Sequence, residues 1–280
     1  MASAQHPKTV AMRTSAASAR DAALGGVASA LAVSFVLFIL VALVALVVKV
    51  TPQVVSSELR SPLVGQALRL SLETSLAATA IAALCGTPLA AILSRPFRGR
   101  SALETLVTLP VVLPPVVGGL ALLLAFGRVG LLGREFDMLG IHLPFTTAAV
   151  VIAQTFVAAP LYVAVATSAF SRVDPRQLEA AATLRASTPY AFARVIIPPA
   201  LPALAGGLAL AWARALGEFG ATITFAGNLP GVTQTMPIAV YMAAQVDLQG
   251  AIAVALALMV LSYGALLIVR RVAGSGGLSP

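Results

Sequence analysis

Charge is what this sequence has least of. Only 10% of its 280 residues are Asp, Glu, Lys or Arg, against roughly 25% in soluble globular domains, which excludes a water-soluble fold. Lysine is nearly missing: Lys8 and Lys49 are the only two, and neither follows the glycine-rich turn with which a P-loop holds nucleotide phosphates. Nucleotide hydrolysis by this chain is therefore not expected. Cysteine occurs once, as Cys85 inside an apolar run, so no intramolecular disulfide can form and the residue reads as a small packing side chain. The two histidines, His6 and His142, fall in polar stretches. No H-x-x-x-H, CxxC or Ser/His/Asp arrangement lies in the apolar runs, so neither a metal centre nor an intramembrane hydrolase has support, and no catalytic, cofactor-binding or metal-ligating residue is assigned.

What the chain does have is hydrophobicity, at 59% of residues and a mean hydropathy of +0.96. The fold class expected is all-α, a polytopic membrane protein. Its net charge of +8 falls in short blocks between apolar runs, which marks topology rather than a nucleic-acid face. Residues 1–24 are polar and Ala/Ser-rich and read as a loose tail. Residues 25–50 hold a first apolar run long enough to cross about 30 Å of hydrocarbon as a helix, and no A-x-A-like cleavage site follows it. Further runs cover about 66–93, 103–126, 145–170, 200–226 and 250–269, making six spans. Arg95, Arg98 and Arg100, then Arg172, Arg176, Arg185 and Arg194, then Arg270 and Arg271 all fall on the side shared with the N-terminal tail. The positive-inside rule puts both termini, including a tail at 271–280, in the cytoplasm. The segment at 236–246, MPIAVYMAAQV, is apolar but too short to cross alone and reads as re-entrant or pathway-lining.

Two features inside the spans carry more than one reading. Pro110, Pro114 and Pro115, with Gly118 and Gly119, kink or interrupt the third span; such breaks line pathways in many transporters, but proline and glycine also serve ordinary close packing in membranes. Arg214 and Glu218 stand four apart on the fifth span, and Arg69 and Glu73 repeat that spacing on the second. Because a charge near the bilayer centre is costly, Arg214, Gly217, Glu218, Phe219, Gly220, Thr222 and Thr224 either line a passage for a polar solute or include a structural ion pair within the bundle.

The longest polar interruption is the loop at 171–199. Asp174 is a good N-cap, Pro175 fits the first helical turn and Gln177 stands where a capping-box partner belongs, which predicts a short helix from Pro175 to about Leu184. Ser187 or Thr188 can cap a second helix opening at Pro189, and Pro198 and Pro199 are expected to close it. The result is a knob offering Ala180, Ala181 and Ala182 beside Glu179 and Arg185, suited to insertion into a protein groove.

At these residues the sequence resembles the integral membrane subunits of binding-protein-dependent ABC importers, whose cytoplasmic loop carries E-A-A, three residues, a glycine and a spaced proline. Glu179, Ala180, Ala181, Leu184, Ala186, Ser187, Phe192 and Pro198 follow that pattern. Arg185 departs from it: it stands at the usual glycine, where a left-handed turn costs a side chain about 1 kcal/mol. Within the family, LPVVLPPVVGG at 109–119, FGRVGLLGR at 126–134 and ARALGEFGATITFAGNLPGVTQTMPIAVY at 213–241 are similar to molybdate importer permeases. The resemblance covers about 66–270 and implies a five-helix permease core with one added N-terminal helix. It further implies a homodimer in the bacterial inner membrane, surrounded by lipid, with two ATP-binding subunits that hold ATP and Mg and dock on the loop. An extracytoplasmic molybdate-binding protein would deliver the substrate. Tungstate and sulfate or thiosulfate permeases are close relatives. A reading of another class, an ion-coupled secondary transporter, would require coupling-ion ligands at the midplane, which the spans do not offer.

Overall fold

A computed structural model describes residues 7–274, and among these every regular element is helical. The chain divides into two units, Met1–Thr51 and Pro52–Pro280. The first contains one helix, α1, Pro7–Val48. Its apolar part, Gly25–Val48, is 24 residues long, enough to cross a bilayer. The helix starts well before the expected boundary: residues read as a loose tail to position 24 are helical from Pro7, because this Ala-rich stretch has high intrinsic helix propensity and no proline after its first residue. Residues 1–6 of that tail, and 275–280 of the expected C-terminal one, lie outside the described residues.

The second unit begins with a short helix, α2 (Pro52–Leu59), and continues with α3 (Pro62–Leu93), α4 (Arg100–Val112), α5 (Pro115–Phe126), α6 (Gly133–Met138) and α7 (Thr147–Ser171). Next come α8 (Pro175–Thr183), α9 (Thr188–Ala191), a π turn (Phe192–Ile196), α10 (Ile197–Leu216), α11 (Gly220–Ala226), α12 (Met236–Ala244) and α13 (Leu248–Gly274). The expected tail from residue 271 is thus helical as far as Gly274.

The hub is α7, which packs on α3, α4, α5, α10 and α11. Its sequence explains this: Ala149, Ala153, Ala158 and Ala166 are fully buried, and small side chains let helices approach where lipid provides no hydrophobic drive between them. Gly86 of α3 and Gly207 of α10 sit against the side chains of Tyr162 and Val165. The Tyr162 hydroxyl, 2.6 Å from Thr87 Oγ1, ties α7 to α3 at the same level.

The third span is broken rather than kinked: α4 and α5 meet at 114°. Leu113 adopts an extended conformation, as a residue before proline prefers, and Pro114 and Pro115 offer no N–H to continue the ladder. Leu103 and Val107 of α4 pack with Ala166 and Phe170 at one end of α7, while Leu122 of α5 packs with Ala149 and Ala153 at the other. Counted as one broken crossing, the pair brings the candidate spans to six.

The fifth span is broken as well, which was not anticipated. α10 stops at Leu216 and α11 starts at Gly220. The half-helices α5 and α11 lie against one another at glycines. A Cβ on Gly119 would stand 2.7 Å from the Ala221 carbonyl oxygen, and one on Gly220 would stand 2.8 Å from Pro115 Cβ. The short helix α12 packs on α13 and α3; its first residue, Met236, donates its N–H to Ser71 Oγ at 2.7 Å, so the apolar segment at 236–246 is a short buried-sided helix.

Replacing Gly119 by valine should cost at least about 1–3 kcal/mol, the range for overpacking, because the new side chain meets backbone rather than a movable side-chain tip. Thermal unfolding of the purified protein in detergent checks this. Gly65→Val, where a Cβ meets nothing within 4 Å, should leave the midpoint nearly unchanged.

Candidate functional site

The loop at 171–199 folds as its sequence suggests at its start. Asp174 Oδ1 accepts the Arg176 N–H at 2.9 Å, and α8 follows with Pro175 in its first turn. The helix buries one face only. Leu178 packs into a cluster with Phe170 and Phe192, whose rings meet edge to face at 5.6 Å, and Ala181 is buried beside it. Ala181 is nearly covered, yet it still lines a groove on this side of the helix. The presented face is Glu179, Ala180, Ala182 and Leu184, the last 82% exposed. A groove of about 830 Å³ opens here, lined among others by Ala180, Leu184, Ala186, Tyr190 and Arg194.

The corner after α8 is a Schellman motif. The Ala186 N–H donates to the Ala181 carbonyl at 3.0 Å and the Arg185 N–H to the Ala182 carbonyl at 2.9 Å, leaving Arg185 left-handed at φ 56°. The left-handed turn is retained with a non-glycine residue in it. Ser187 occupies the N-cap position of α9, but its hydroxyl makes no capping bond.

Beyond α9 the expected stop at Pro198 and Pro199 does not occur. The helix runs from Thr188 to Leu216 as one span, through a turn in which the Ile197 N–H reaches the Phe192 carbonyl five residues back. Pro198, Pro199 and Pro202 donate no N–H, and the wider turn absorbs the mismatch ahead of them. The loop is thereby joined to α10 by continuous helix.

At the far end of α10 the Arg214–Glu218 pair closes the break. Arg214 Nη1 lies 2.7 Å from Glu218 Oε2, with side-chain exposures of 32% and 1%. The other carboxylate oxygen accepts the Ala221 N–H at 2.8 Å, in the first turn of α11. Glu218 thus stitches one half-helix to the next, with its side chain almost fully buried. Gly220 and Thr222 are also buried, and the Thr224 hydroxyl bonds back to the Gly220 carbonyl at 2.8 Å. Of the seven residues expected to line a route, Arg214, Gly217, Phe219 and Thr224 keep exposed surface. Phe219 stacks on Tyr241 of α12 with ring centres 5.1 Å apart. The Arg69–Glu73 pair, 2.6 Å apart and 80% and 57% exposed, lies on the outer surface of α3.

Sequence reasoning missed a set of buried polar groups on the same helices. Trp212 Nε1 donates to Ser75 Oγ at 3.0 Å. Gln154 of α7 is fully buried, and among the described residues neither atom of its amide has a partner; the same is true of the Thr222 hydroxyl. The available signal was a lone amide inside the apolar run AAVVIAQTFVAAP. Among the described residues, no cluster of three or more His, Cys, Asp or Glu side chains is placed to hold a metal ion.

Comparison with known proteins gives a consistent result. Residues 78–274 match the family described as binding-protein-dependent transport system inner membrane component. The Molybdenum transport system permease protein ModB of Mycobacterium tuberculosis is 46% identical over 207 residues, 73% of this chain and 78% of its own length. The protein of the same name from Escherichia coli K12 is 42% identical over 178 residues, 63% of this chain and 78% of its own. Among solved structures, a chain of a bacterial ABC transporter involved in the import of alginate superposes with a TM-score of 0.72, covering 94% of this chain and 98% of its own at 17% identity.

Two substitutions test the geometry. Arg185→Gly should stabilise the protein by about 1 kcal/mol by removing the left-handed penalty, seen as a higher unfolding midpoint, whereas Arg185→Ala should not. Glu218→Ala strands both Arg214 and the Ala221 N–H; loss of a buried pair costs about 3–5 kcal/mol, and partial exposure of Arg214 brings the expected loss to about 2–4 kcal/mol, read by chemical denaturation.

Proposed function

Since the chain belongs to the family of binding-protein-dependent transport system inner membrane components, we propose that it is the permease subunit of an ATP-driven importer of molybdate. The relatives' names supply the anion. Tungstate and sulfate remain the neighbouring choices, because discrimination among tetrahedral oxyanions resides in the binding protein that delivers them. The observation that carries the mechanism is the continuous helix from Thr188, through the π turn, into α10, with Leu178 of α8 and Phe192 of the π turn packed in one cluster.

In this reading two copies of the chain pair in the bacterial inner membrane with both termini in the cytoplasm, in line with the arginines grouped at 95–100, 172–194 and 270–271. Two ATP-binding subunits, which hold ATP and Mg, seat on the exposed face of α8 around Glu179, Ala180 and Leu184. An extracytoplasmic protein releases the anion at the opposite face. Closure of the ATPases pulls on α8, and α10 carries the displacement to the break at Gly217–Phe219. The Glu218 carboxylate, bonded on both sides of that break, passes it to α11, and the glycine contact at Gly119 and Gly220 passes it to α5. The half-helices then move as one body, and the route alternates between inward-facing and outward-facing.

The route needs little affinity of its own. Arg214, one-third exposed and neutralised by Glu218, gives a weak polar attraction, while Phe219 against Tyr241 forms an apolar constriction. A solute handed over from a high-affinity donor passes such a surface without being trapped.

Vesicles containing this chain, its ATPase and the binding protein should accumulate molybdate only with internal ATP. Accumulation without ATP would sink the importer reading in favour of an ion-coupled carrier. Glu179→Lys, on the exposed face, should leave the chain in the membrane while cutting uptake at least tenfold and making ATP hydrolysis independent of the binding protein.

A further inference from the structure

A second groove, of about 640 Å³, opens beside the end of α3, within the size range of ligand sites. Its walls are apolar: Pro88 and Ile92 from the last turns of α3, Phe97 from the turn after it, and Pro189 and Phe192 from the helix that follows the loop. Arg95 is the only charged residue in its lining. Ile92 is 54% and Phe97 40% exposed, so the apolar walls are open to an occupant.

The charge around the mouth is unbalanced. α3 ends at Leu93, and Arg95, Arg98 and Arg100 follow within seven residues. Only Arg100 has a carboxylate partner, Glu104 at 3.8 Å; among the described residues the side chains of Arg95 and Arg98 enter no ion pair. The groove thus combines hydrocarbon-like walls at the end of a membrane span with the unpaired guanidinium of Arg95 in its lining, and Arg98 follows three residues later in the chain. A soluble anion matches the charge and not the walls; a neutral lipid matches the walls and not the charge. Basic pockets between transmembrane helices suit anionic head groups with their chains attached, and guanidinium matches phosphate oxygens in geometry as well as charge.

We propose that this groove holds one anionic phospholipid, its phosphate on Arg95 and Arg98 and an acyl chain along Ile92, Phe97 and Phe192. The lipid bridges α3 to the start of the helix that carries the loop. This goes beyond the transport reading, and the site is independent of which solute crosses the membrane.

The test uses the full-length chain, delipidated in neutral detergent, with phosphatidylglycerol, phosphatidylcholine of matched chains, and inorganic phosphate as probes. Binding is read by native mass spectrometry and by the unfolding midpoint. The expected result is one phosphatidylglycerol per chain, bound in preference to phosphatidylcholine and raising the midpoint. Neutralising Arg95 and Arg98 together by glutamine should weaken it about thirtyfold, near fivefold for each charge at a membrane surface. Ile92→Trp, which fills the groove and keeps the charges, should abolish phosphatidylglycerol binding with the lipid-free midpoint unchanged. Equal binding of the two lipids, displacement of phosphatidylglycerol by inorganic phosphate, or displacement by the partner ATPase would each overturn the proposal, as would variants that bind like the parent.

Discussion

Backbone hydrogen bonds inside a bilayer must be satisfied by the protein itself, and the second unit is arranged around two places where its spans break that ladder. At Leu113–Pro115 the chain uses prolines, which have no N–H to leave unpaired. At Gly217–Phe219 it uses a side chain instead: Glu218 takes up the Ala221 N–H with one oxygen and the Arg214 guanidinium with the other. The second solution places a carboxylate in the interior, and the charge is tolerable because both its oxygens are occupied by donors. The two breaks are not independent, since the half-helices they create, α5 and α11, pack on each other where neither can carry a side chain, at Gly119 and Gly220.

Rigidity follows from the same feature. A loop that ended in a flexible joint would absorb a push, whereas α9, the π turn and α10 form one helical rod from Thr188 to Leu216. The three prolines near its start would stop an ordinary α-helix, and the wider turn at 192–196 keeps the rod intact. The Arg185 corner is the counterpart. It holds a left-handed residue against its preference, and the Schellman bonds from Arg185 and Ala186 hold the turn in shape. Strain of this kind is local and leaves α8 fixed by Leu178 on the Phe170–Phe192 pair.

Much of this was legible in the chain because punctuation in a membrane protein is unambiguous. Prolines at 114 and 115 announced the first break, while Pro110 is accommodated within α4, and Asp174-Pro175 announced α8. The second break was harder to see. Glycine at 217 and 220 is common in membrane helices for packing alone, and only the position of the Glu218 carboxylate relative to the Ala221 N–H distinguishes a clamp from a pathway charge. Helical spacing brings Arg214 and Glu218 together in either case. The continuity across Pro198 and Pro199 was illegible for a different reason: propensity describes α-helices, and the solution adopted is a π turn. The near-burial of Ala181 was hidden too, since three consecutive alanines carry no periodic signal.

The scarcity of charge that marks the sequence also constrains how a route through this fold can work. Most of the carboxylates lie at 58, 104, 135, 137, 174, 179 and 247, outside the middle of the spans; of the two within, Glu73 is on the outer surface and Glu218 is sealed. A route lined by cationic rings would hold an oxyanion strongly and release it slowly. In the proposed importer a single guanidinium, one-third exposed and already paired, lowers the barrier for an anion with little trapping. On that reading selectivity is then exercised before the anion reaches the membrane, and the energy for opening comes from force applied at α8. For the proposed importer, the scarcity of charge in the interior and the stiffness of the rod from Thr188 to Leu216 are thus two parts of one design: an interior that binds little is opened from outside, and an unbroken helix carries that work to the break at Glu218.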